Sequence, residues 1–259
     1  MKKYQLTLLS LCVAAFAQAK VTLPSFFTDN MVIQQNSQLT LPGKAKAGKQ
    51  VTVKVSWNYE KYTAKASADG HFSIEVPTPP AGGPFQITVS DGEKLVLNNV
   101  LSGEVWICSG QSNMEMPVAG WGKVMNYEQE VADADYPSIR LLQVKKTVAF
   151  SPQDNVEMNM NGWQECSSAT VPEFSSVAYF YARKLWKELN VPVGVIDCTW
   201  GGTPAESWTS HQTLKQVMGF QKKMAEMESA GFQREKLVEL YAIHAGRPKR
   251  QKVTESVRL

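Results

Sequence analysis

The chain has 259 residues, of which 43% are apolar and 20% are charged, with 27 lysines and arginines against 24 aspartates and glutamates. This composition is typical of one or two globular domains and excludes a coiled coil, a collagen-like rod and a disordered chain. The net charge of +3 arises at the two ends, from Lys2 and Lys3 and from a basic segment that follows Gly246. Because the rest of the chain is close to neutral, we expect no nucleic acid partner.

The first 19 residues have the pattern of a secretory signal peptide. Two lysines precede an apolar stretch from Leu6 to Phe16, and Ala17-Gln18-Ala19 has the small-x-small pattern that signal peptidases accept. A transmembrane helix needs about 20 apolar residues, so this stretch is too short for an anchor, and no later segment is long and apolar enough to cross a membrane. We expect a mature protein that begins at Lys20 and is periplasmic or secreted.

Three cysteines remain beyond the signal peptide, namely Cys108, Cys166 and Cys198. An odd number permits at most one disulfide in an oxidising compartment. Their spacing lacks the C-x-x-C pairs of zinc sites, and two of them fall inside apolar, strand-like runs. We therefore predict buried thiols that pack as small apolar side chains, and we expect no metal and no cofactor.

Residues 20–101 have the pattern of a small antiparallel β-sandwich. Short segments of alternating polarity are separated by turn-forming residues, as in other small all-β domains. The segments with this alternation are Val51–Trp57, Tyr62–Ala66, His71–Val76, Phe85–Ser90 and Lys94–Val100. The domain holds one histidine and no tight cluster of carboxylates, so we expect a structural or sugar-docking module rather than the site of chemistry.

Residues 102–242 have the pattern of an α/β domain with a parallel sheet. Near-continuous apolar runs predict buried strands at Glu104–Cys108, Ile139–Val144 and Val193–Thr199. Between the last two, apolar residues recur with helical period over Val177–Asn190, which predicts an amphipathic helix. Strands joined by helices in this way favour an α/β fold.

Three strands are fewer than the five or more of a usual doubly wound sheet, so we expect this domain to be incomplete. The third strand, Val193–Thr199, is then expected to have one open edge. The pattern after Gly202 is mostly helical through Ala242. Residues 243–259 are basic and lack apolar periodicity, which predicts a disordered tail.

Two loops that leave strand ends carry residues suited to acyl transfer. Gly110-Gln-Ser-Asn-Met114 follows the first strand of the α/β domain, and Trp200-Gly-Gly-Thr-Pro-Ala-Glu-Ser-Trp208 follows the third. Carboxyl ends of parallel strands meet at one edge of a sheet, so the loops are expected to converge. A serine on a tight turn can present its hydroxyl for attack and its amide to an oxyanion. Paired glycines let further backbone N–H groups approach the same point.

The same residues resemble a known family. The chain is similar to the sialate O-acetylesterases, a branch of the SGNH (GDSL-like) hydrolase superfamily, in four blocks that occur in the same order. These blocks are Leu23–Gln34, Gly103–Glu115, Phe174–Arg183 and Trp200–Trp208. The resemblance implies an SGNH-type three-layer α/β domain, incomplete in this chain, preceded by the small β-sandwich.

The resemblance also implies roles for individual residues. Ser112 corresponds to the nucleophile, and its amide contributes to the oxyanion hole together with that of Gly202 or, as the weaker alternative, Gly201. Gln111, Asn113 and Glu206 match motif positions to which only a role in shaping the substrate pocket is assigned. The implied reaction is deacetylation of O-acetylated sialic acid through an acetyl-enzyme, without a metal or cofactor.

A serine esterase also needs a base, which is usually a histidine oriented by a carboxylate. The family carries it in an Asp-x-x-His-like block far downstream, and this chain has only His71, His211 and His244. We interpret His211 as a solvent-facing or helix-capping residue, and His244 as a chance echo of the catalytic block. The chain is therefore expected to be the amino-terminal part of such an esterase, with little activity alone.

Two alternative functions remain open from the sequence. The nucleophile loop does not identify the sugar, so an acetyl-xylan or other carbohydrate esterase is possible within the same chemistry. A non-catalytic glycan-binding protein, with the β-sandwich as the binding module, is the alternative from another class. In each case the partner is an acetylated glycan or another glycan, and not a nucleic acid or a membrane.

Overall fold

A computed structural model of the protein describes residues 20–149, 153–231, 233 and 236. The predicted signal peptide, residues 1–19, and the predicted tail, residues 243–259, lie outside the described residues. His244 lies outside them as well. Within the described ranges, no helix is long and apolar enough to span a lipid bilayer.

The amino-terminal part consists of β-strands that pack as two layers. The strands are β1 (Val32–Gln34), β2 (Gln38–Lys44), β3 (Gln50–Val55), β4 (Lys61–Lys65), β5 (His71–Pro77), β6 (Gly82–Ser90) and β7 (Lys94–Gly110). β2 pairs antiparallel with β5 as a separate two-stranded sheet, while β4, β3, β6 and β7 pair in that order in the larger sheet. Inward-facing residues such as Leu41, Val53 and Val89 are fully buried in the core of this part. The alternation of apolar and polar residues thus produces the predicted antiparallel packing.

The remainder alternates helices and strands. Its elements are α1 (Ser112–Glu115), α2 (Tyr127–Ala132), β8 (Asp135–Gln143), β9 (Gln164–Ser167), α3 (Ser176–Leu189), β10 (Val193–Thr199), a short 3-10 helix (Ala205–Trp208), α4 (His211–Leu214) and α5 (Gln221–Ser229). β10 pairs parallel with both β7 and β8, and β9 adds antiparallel to β8. The predicted α/β fold with a parallel sheet is confirmed.

β7 joins the two parts of the molecule. Its first half pairs antiparallel with β6, and its residues from Glu104 to Gly110 pair parallel with β10. The segments Lys94–Val100 and Glu104–Cys108, predicted as two strands, are therefore one strand that passes through the predicted domain boundary at residue 102. One sheet, ordered β4-β3-β6-β7-β10-β8-β9, consequently extends through both parts.

The prediction that Val193–Thr199 has an open edge is wrong. This strand, β10, lies between β7 and β8 and is paired on both sides. The error has a physical cause, since a crossover helix can return the chain between two earlier strands as well as outside them. The open edge belongs instead to Glu104–Gly110 of β7, which have no strand partner among the described residues on the side away from β10.

α3 confirms the helix predicted from apolar periodicity. Ser175 caps its first turn, because its side-chain oxygen accepts a hydrogen bond from the N–H of Ala178. The helix ends at Asn190, which adopts a left-handed conformation with φ of 52°. Its buried face, which includes Tyr179 and Ala182, packs on a core formed with β8 and β10. The segment after Gly202 was predicted to be mostly helical, and its described residues form only short helices.

The two parts also share side-chain contacts. Trp163, just before β9, is buried in the core of the β-rich part and donates from its indole N–H to the carbonyl of Phe26 at 3.0 Å. Arg140 of β8 is 3% exposed and reaches the carbonyl of Asn30 and the side chain of Asn99. The position of the α/β sheet is therefore fixed against the β-rich part by both apolar and polar contacts.

All three cysteines of the described chain are free thiols, with Cys108 and Cys166 buried and Cys198 half-buried. Burial raises the pKa of Cys108 to about 11 and that of Cys166 to about 12. These thiols therefore stay protonated near neutral pH. The prediction that they pack as small apolar side chains is confirmed for the two buried ones.

Candidate active site

Ser112 is the first residue of α1 and lies two residues after Gly110, the end of β7. The turn between them depends on Gly110, whose φ is 138° and whose added Cβ would lie 2.9 Å from Cγ of Met114. The carbonyl of Gln111 accepts hydrogen bonds at 2.9 Å from the N–H groups of Met114 and Glu115, and these bonds close the turn. The turn leaves the Ser112 side chain exposed at the carboxyl edge of the sheet.

The loop after β10 lies directly against this turn. The N–H of Trp200 donates to the carbonyl of Gly110 at 2.9 Å. A Cβ added to Gly201 would lie 3.5 Å from both Cα and Cβ of Ser112. The predicted convergence of the two loops is therefore confirmed.

The two glycines differ in what their amides contact. The N–H of Gly201 donates to Oε2 of Glu115, one turn after Ser112. Gly202 has φ of 78° and is exposed, and its N–H donates no hydrogen bond to any described residue. The N–H and the hydroxyl of Ser112 are likewise without a hydrogen-bond partner in the described part of the chain. Two free N–H donors, those of Ser112 and Gly202, thus remain in the paired loops.

A buried carboxylate lies at the end of β10. Asp197 is 1% exposed and accepts hydrogen bonds from the hydroxyl of Thr199 at 2.6 Å and from the amide of Gln143 at 3.0 Å. Burial raises the pKa of Asp197, and the two hydrogen bonds act in the opposite direction. Gln143 in turn accepts from the side-chain amide of Asn159 at 2.8 Å, so a polar chain connects β10 with β8 and the segment before β9.

These polar groups line a pocket of about 250 Å³ beside the nucleophile turn. The pocket is bounded by carboxylates, amides, one lysine and one exposed indole, and it contains few apolar groups. Its lining residues include Glu115, Trp121, Gln143, Lys146, Asn159, Glu173, Asp197 and Thr199. A polar surface with an exposed aromatic ring is suited to hydroxyl-rich ligands rather than to apolar ones.

The other predicted pocket residues lie around the same turn. Gln111 and Asn113 flank Ser112 and are exposed. Glu206 is half-buried in the short 3-10 helix that follows the glycine pair. That loop is closed by the indole N–H of Trp208, which donates to the hydroxyl of Thr203 at 2.8 Å. None of these three residues lines the pocket described above, and their roles stay predictions.

No described histidine is hydrogen-bonded to Ser112. His71 is the first residue of β5 in the β-rich part and is exposed. His211 begins α4, and its Nε2 lies 2.8 Å from Oε1 of Glu228. Lys215 also donates to this carboxylate oxygen, at 2.7 Å. His211 thus belongs to an ion-pair cluster but is only 29% exposed, so its interpretation as a solvent-facing or helix-capping residue stays a prediction.

Sequence reasoning missed four residues of the site. Glu115 and Asp197 each had a signal: Glu115 is one helical turn after Ser112, and Asp197 is a charged residue inside an apolar strand. Lys146 and Trp121 had none, because they come from loops whose position depends on the sheet order. Within the described residues, no group of three or more histidine, cysteine, aspartate or glutamate side chains could hold a metal ion.

A solved structure shares the fold. A carbohydrate acetylesterase from Xanthomonas citri superposes with a TM-score of 0.69 at 32% identity, over 75% of this chain and 44% of that chain. The α/β fold of the described residues thus matches that of a carbohydrate acetylesterase.

Curated relatives point to a particular family of these esterases. Sialate O-acetylesterase of Pongo abelii is 34% identical and that of Homo sapiens 33% identical, each over 74% of this chain. The chain spans 39% of the length of each of these two relatives. The family model for carbohydrate esterases described as sialic acid-specific acetylesterases matches residues 102–237. The chain therefore belongs to the sialic acid-specific acetylesterase family.

Proposed function

We propose that this protein acts in the removal of O-acetyl groups from glycans, with Ser112 as the nucleophile. The observation that carries the proposal is the contact between the Ser112 turn and the Gly201–Gly202 turn. The contact brings the loop that carries the free N–H of Gly202 against the turn that carries the exposed hydroxyl and the free N–H of Ser112, and groups of this kind are what acyl transfer requires. Membership of the acetylesterase family supports the same reaction.

In this reaction Oγ of Ser112 attacks the acetyl carbonyl carbon while a base takes the hydroxyl proton. The carbonyl oxygen becomes an oxyanion that accepts hydrogen bonds from the N–H groups of Ser112 and Gly202. The bond from the acetyl carbon to the sugar oxygen then breaks, and the sugar oxygen takes the proton. Water hydrolyses the acetyl-serine, which releases acetate and restores the hydroxyl.

Gly202 is the better second donor because the N–H of Gly201 is already bonded to Glu115. A donor that is engaged by a carboxylate must first lose that bond before it can stabilise an oxyanion. Gln111, Asn113 and Glu206 shape the rim around the same turn in this proposal.

The proposed substrate is O-acetylated sialic acid, with acetylated xylan or another acetylated glycan as the alternative. Two curated relatives are named sialate O-acetylesterases, and the related structure is named a carbohydrate acetylesterase. The polar pocket beside Ser112 has hydrogen-bonding groups for sugar hydroxyls and the indole of Trp121 for a sugar face.

The base is expected to be missing from this chain, so its turnover is expected to be low. Loss of a catalytic base costs several orders of magnitude, although oxyanion donors leave some residual catalysis. The test therefore supplies a base from outside: hydrolysis of p-nitrophenyl acetate by the purified chain is measured with increasing imidazole. The rate of hydrolysis by imidazole alone is subtracted from each measurement. We expect the remaining rate to rise with imidazole in the unchanged chain and not in the Ser112→Ala variant.

Ser109→Ala is the matched control, since Ser109 is also exposed and lies in the last two residues of β7, three residues before Ser112. It should behave as the unchanged chain does. Equal rates in the Ser112→Ala variant and the unchanged chain at every imidazole concentration would contradict the proposal. Acetate release from O-acetylated sialic acid and from acetylated xylan under the same conditions then distinguishes the two substrates.

Export to the periplasm or the medium is part of the proposal and rests on the pattern of residues 1–19. Expression with this segment in a bacterium should yield a product whose intact mass corresponds to a chain that begins at Lys20. A product that retains Met1 and stays in the cytoplasm would contradict export.

A further inference from the structure

The carboxylate of Glu115 connects the nucleophile turn with two other loops. Its Oε2 accepts from the N–H of Gly201, and its Oε1 forms an ion pair with Nζ of Lys146. The Glu115 side chain is only 13% exposed, whereas that of Lys146 is 42% exposed. Glu115 thus holds one loop through a backbone amide and is neutralised by a lysine from another.

We propose that Glu115 is a positioning residue for the Ser112 site and that Lys146 is the counter-charge that makes this arrangement compatible with an oxyanion. The inference rests on the proposed esterase function. Glu115 fixes the Gly201 N–H, and only the two backbone torsions of Gly201 then remain to set where the free N–H of Gly202 lies. Its contribution to catalysis therefore passes through the backbone of the glycine pair.

The negative charge of Glu115 disfavours the oxyanion, and the positive charge of Lys146 offsets this effect. A Cβ added to Gly201 would lie 2.5 Å from Oε2 of Glu115 and 3.5 Å from Cβ of Ser112. The carboxylate is therefore close to the nucleophile. A negative charge this close to Ser112 opposes the negative charge that develops on the carbonyl oxygen when Ser112 attacks. The ammonium group of Lys146, in contact with the other carboxylate oxygen, cancels most of this repulsion.

Amide hydrogen exchange by NMR tests the positioning role without any activity. In the unchanged chain the N–H of Gly201 should exchange more slowly than that of Gly202, which has no acceptor in the described structure. Glu115→Ala should remove this difference, whereas Glu115→Gln, which keeps an oxygen acceptor, should preserve most of it. Equal exchange of Gly201 in the Glu115→Ala variant and the unchanged chain would overturn the proposal.

The kinetic test uses the Ser112-dependent, imidazole-assisted rate. Lys146→Met should lower this rate roughly tenfold, since it leaves an uncompensated carboxylate near the oxyanion. Adding Glu115→Gln to Lys146→Met should raise the rate again, because it removes the charge while keeping an acceptor. A purely structural role predicts the opposite, with the double variant at least as slow as Lys146→Met.

The neighbouring ion pair of Lys145 and Glu157 provides the matched control. Its atoms are 2.7 Å apart, both side chains are more than half exposed, and neither residue lines the pocket. Lys145→Met and Glu157→Gln should change neither the rate nor the exchange of Gly201. If the unchanged chain shows no Ser112-dependent rate, the esterase proposal fails. The amide exchange of Gly201 still decides whether Glu115 is a positioning residue.

Discussion

The backbone N–H of Trp200 donates a hydrogen bond to the carbonyl of Gly110, with 2.9 Å between nitrogen and oxygen. This bond extends the parallel pairing of β7 and β10 by one step beyond the last paired residues, Gly110 and Thr199. It therefore brings the loop that follows β10 onto the turn that carries Ser112. The relative position of nucleophile and glycine pair is a consequence of strand register, and not of the loops alone.

Gly201→Ala is expected to disrupt this arrangement. The new Cβ would lie 2.5 Å from Oε2 of Glu115, so the carboxylate or the turn must move. Because the end of a flexible side chain can move, we expect a loss of only about 1 kcal/mol in the free energy of unfolding, the worth of the hydrogen bond between Glu115 and the Gly201 N–H, together with loss of the imidazole-assisted rate. Chemical denaturation and the p-nitrophenyl acetate assay measure the two effects.

Gly202→Ala is the comparison for this prediction. A Cβ on Gly202 would meet no atom within 4 Å, so only the left-handed backbone, with φ of 78°, opposes the substitution. That strain is worth about 1–2 kcal/mol in the free energy of unfolding. An unchanged imidazole-assisted rate in Gly201→Ala would show that the Gly201 turn is not packed against Ser112 and Glu115.

Asp197→Asn tests the buried carboxylate at the end of β10. The asparagine places an NH₂ group against the donors of Thr199 or Gln143, so we expect a cost of about 1–3 kcal/mol in the free energy of unfolding near neutral pH. Urea denaturation measures this cost. Asp133→Asn, in an exposed position at the end of α2, should change the free energy by less than about 0.5 kcal/mol.

The cost of Asp197→Asn should also depend on pH. Burial raises the pKa of Asp197 above its ordinary value of 3.8, so the folded chain binds this proton more tightly than the unfolded chain does. The stability of the unchanged chain relative to Asp197→Asn should therefore fall as pH rises from below 3.8 through the raised pKa. A relative stability that rises over this range would contradict a raised pKa.

Elements that depend on local pattern could be predicted from the sequence. The period of α3 and the Ser175 cap are local features, and the predicted helix differs from the observed one by one residue at each end. The strands of the β-rich part follow from alternation in the same way. The convergence of the Ser112 and glycine loops could also be predicted, because it needs only that both loops leave the carboxyl ends of neighbouring parallel strands.

Features that depend on sheet order could not be predicted in this way. The insertion of β10 between β7 and β8 is set by packing against α3 and the β-rich part, which no single segment encodes. The same holds for β9, which has only four residues, and for Lys146, which reaches Glu115 only because β8 and β10 are neighbours. The candidate site was thus predictable in its nucleophile and glycine pair, and not in the charges around them.

Arg140→Met tests the polar junction between the two parts of the chain. The guanidinium group bonds to the carbonyls of Pro137 and Asn30 and pairs with Glu165 at 3.2 Å. Its loss leaves buried acceptors without donors, so we expect a cost of about 1–3 kcal/mol in the free energy of unfolding, measured by urea denaturation. Lys184→Met, which breaks an exposed pair with Glu188 on α3, should cost less than about 0.5 kcal/mol.

The open edge of β7 predicts self-association of the chain. Residues from Glu104 to Gly110 have no strand partner on one side among the described residues, and Ile107 on this edge is 71% exposed. An unpaired strand with an exposed apolar side chain can pair with the same edge of a second molecule. Sedimentation velocity at increasing protein concentration should therefore show oligomers of the unchanged chain.

Ile107→Lys should shift this equilibrium towards monomers, because a lysine on an edge strand opposes pairing between copies. The folded structure should be kept, since the side chain is already largely in solvent. Met125→Lys is the matched control: Met125 is 99% exposed but belongs to a loop, so its replacement should leave the oligomers unchanged. An equal effect of both substitutions would attribute association to general surface hydrophobicity, and no effect of Ile107→Lys would exclude the β7 edge as the contact.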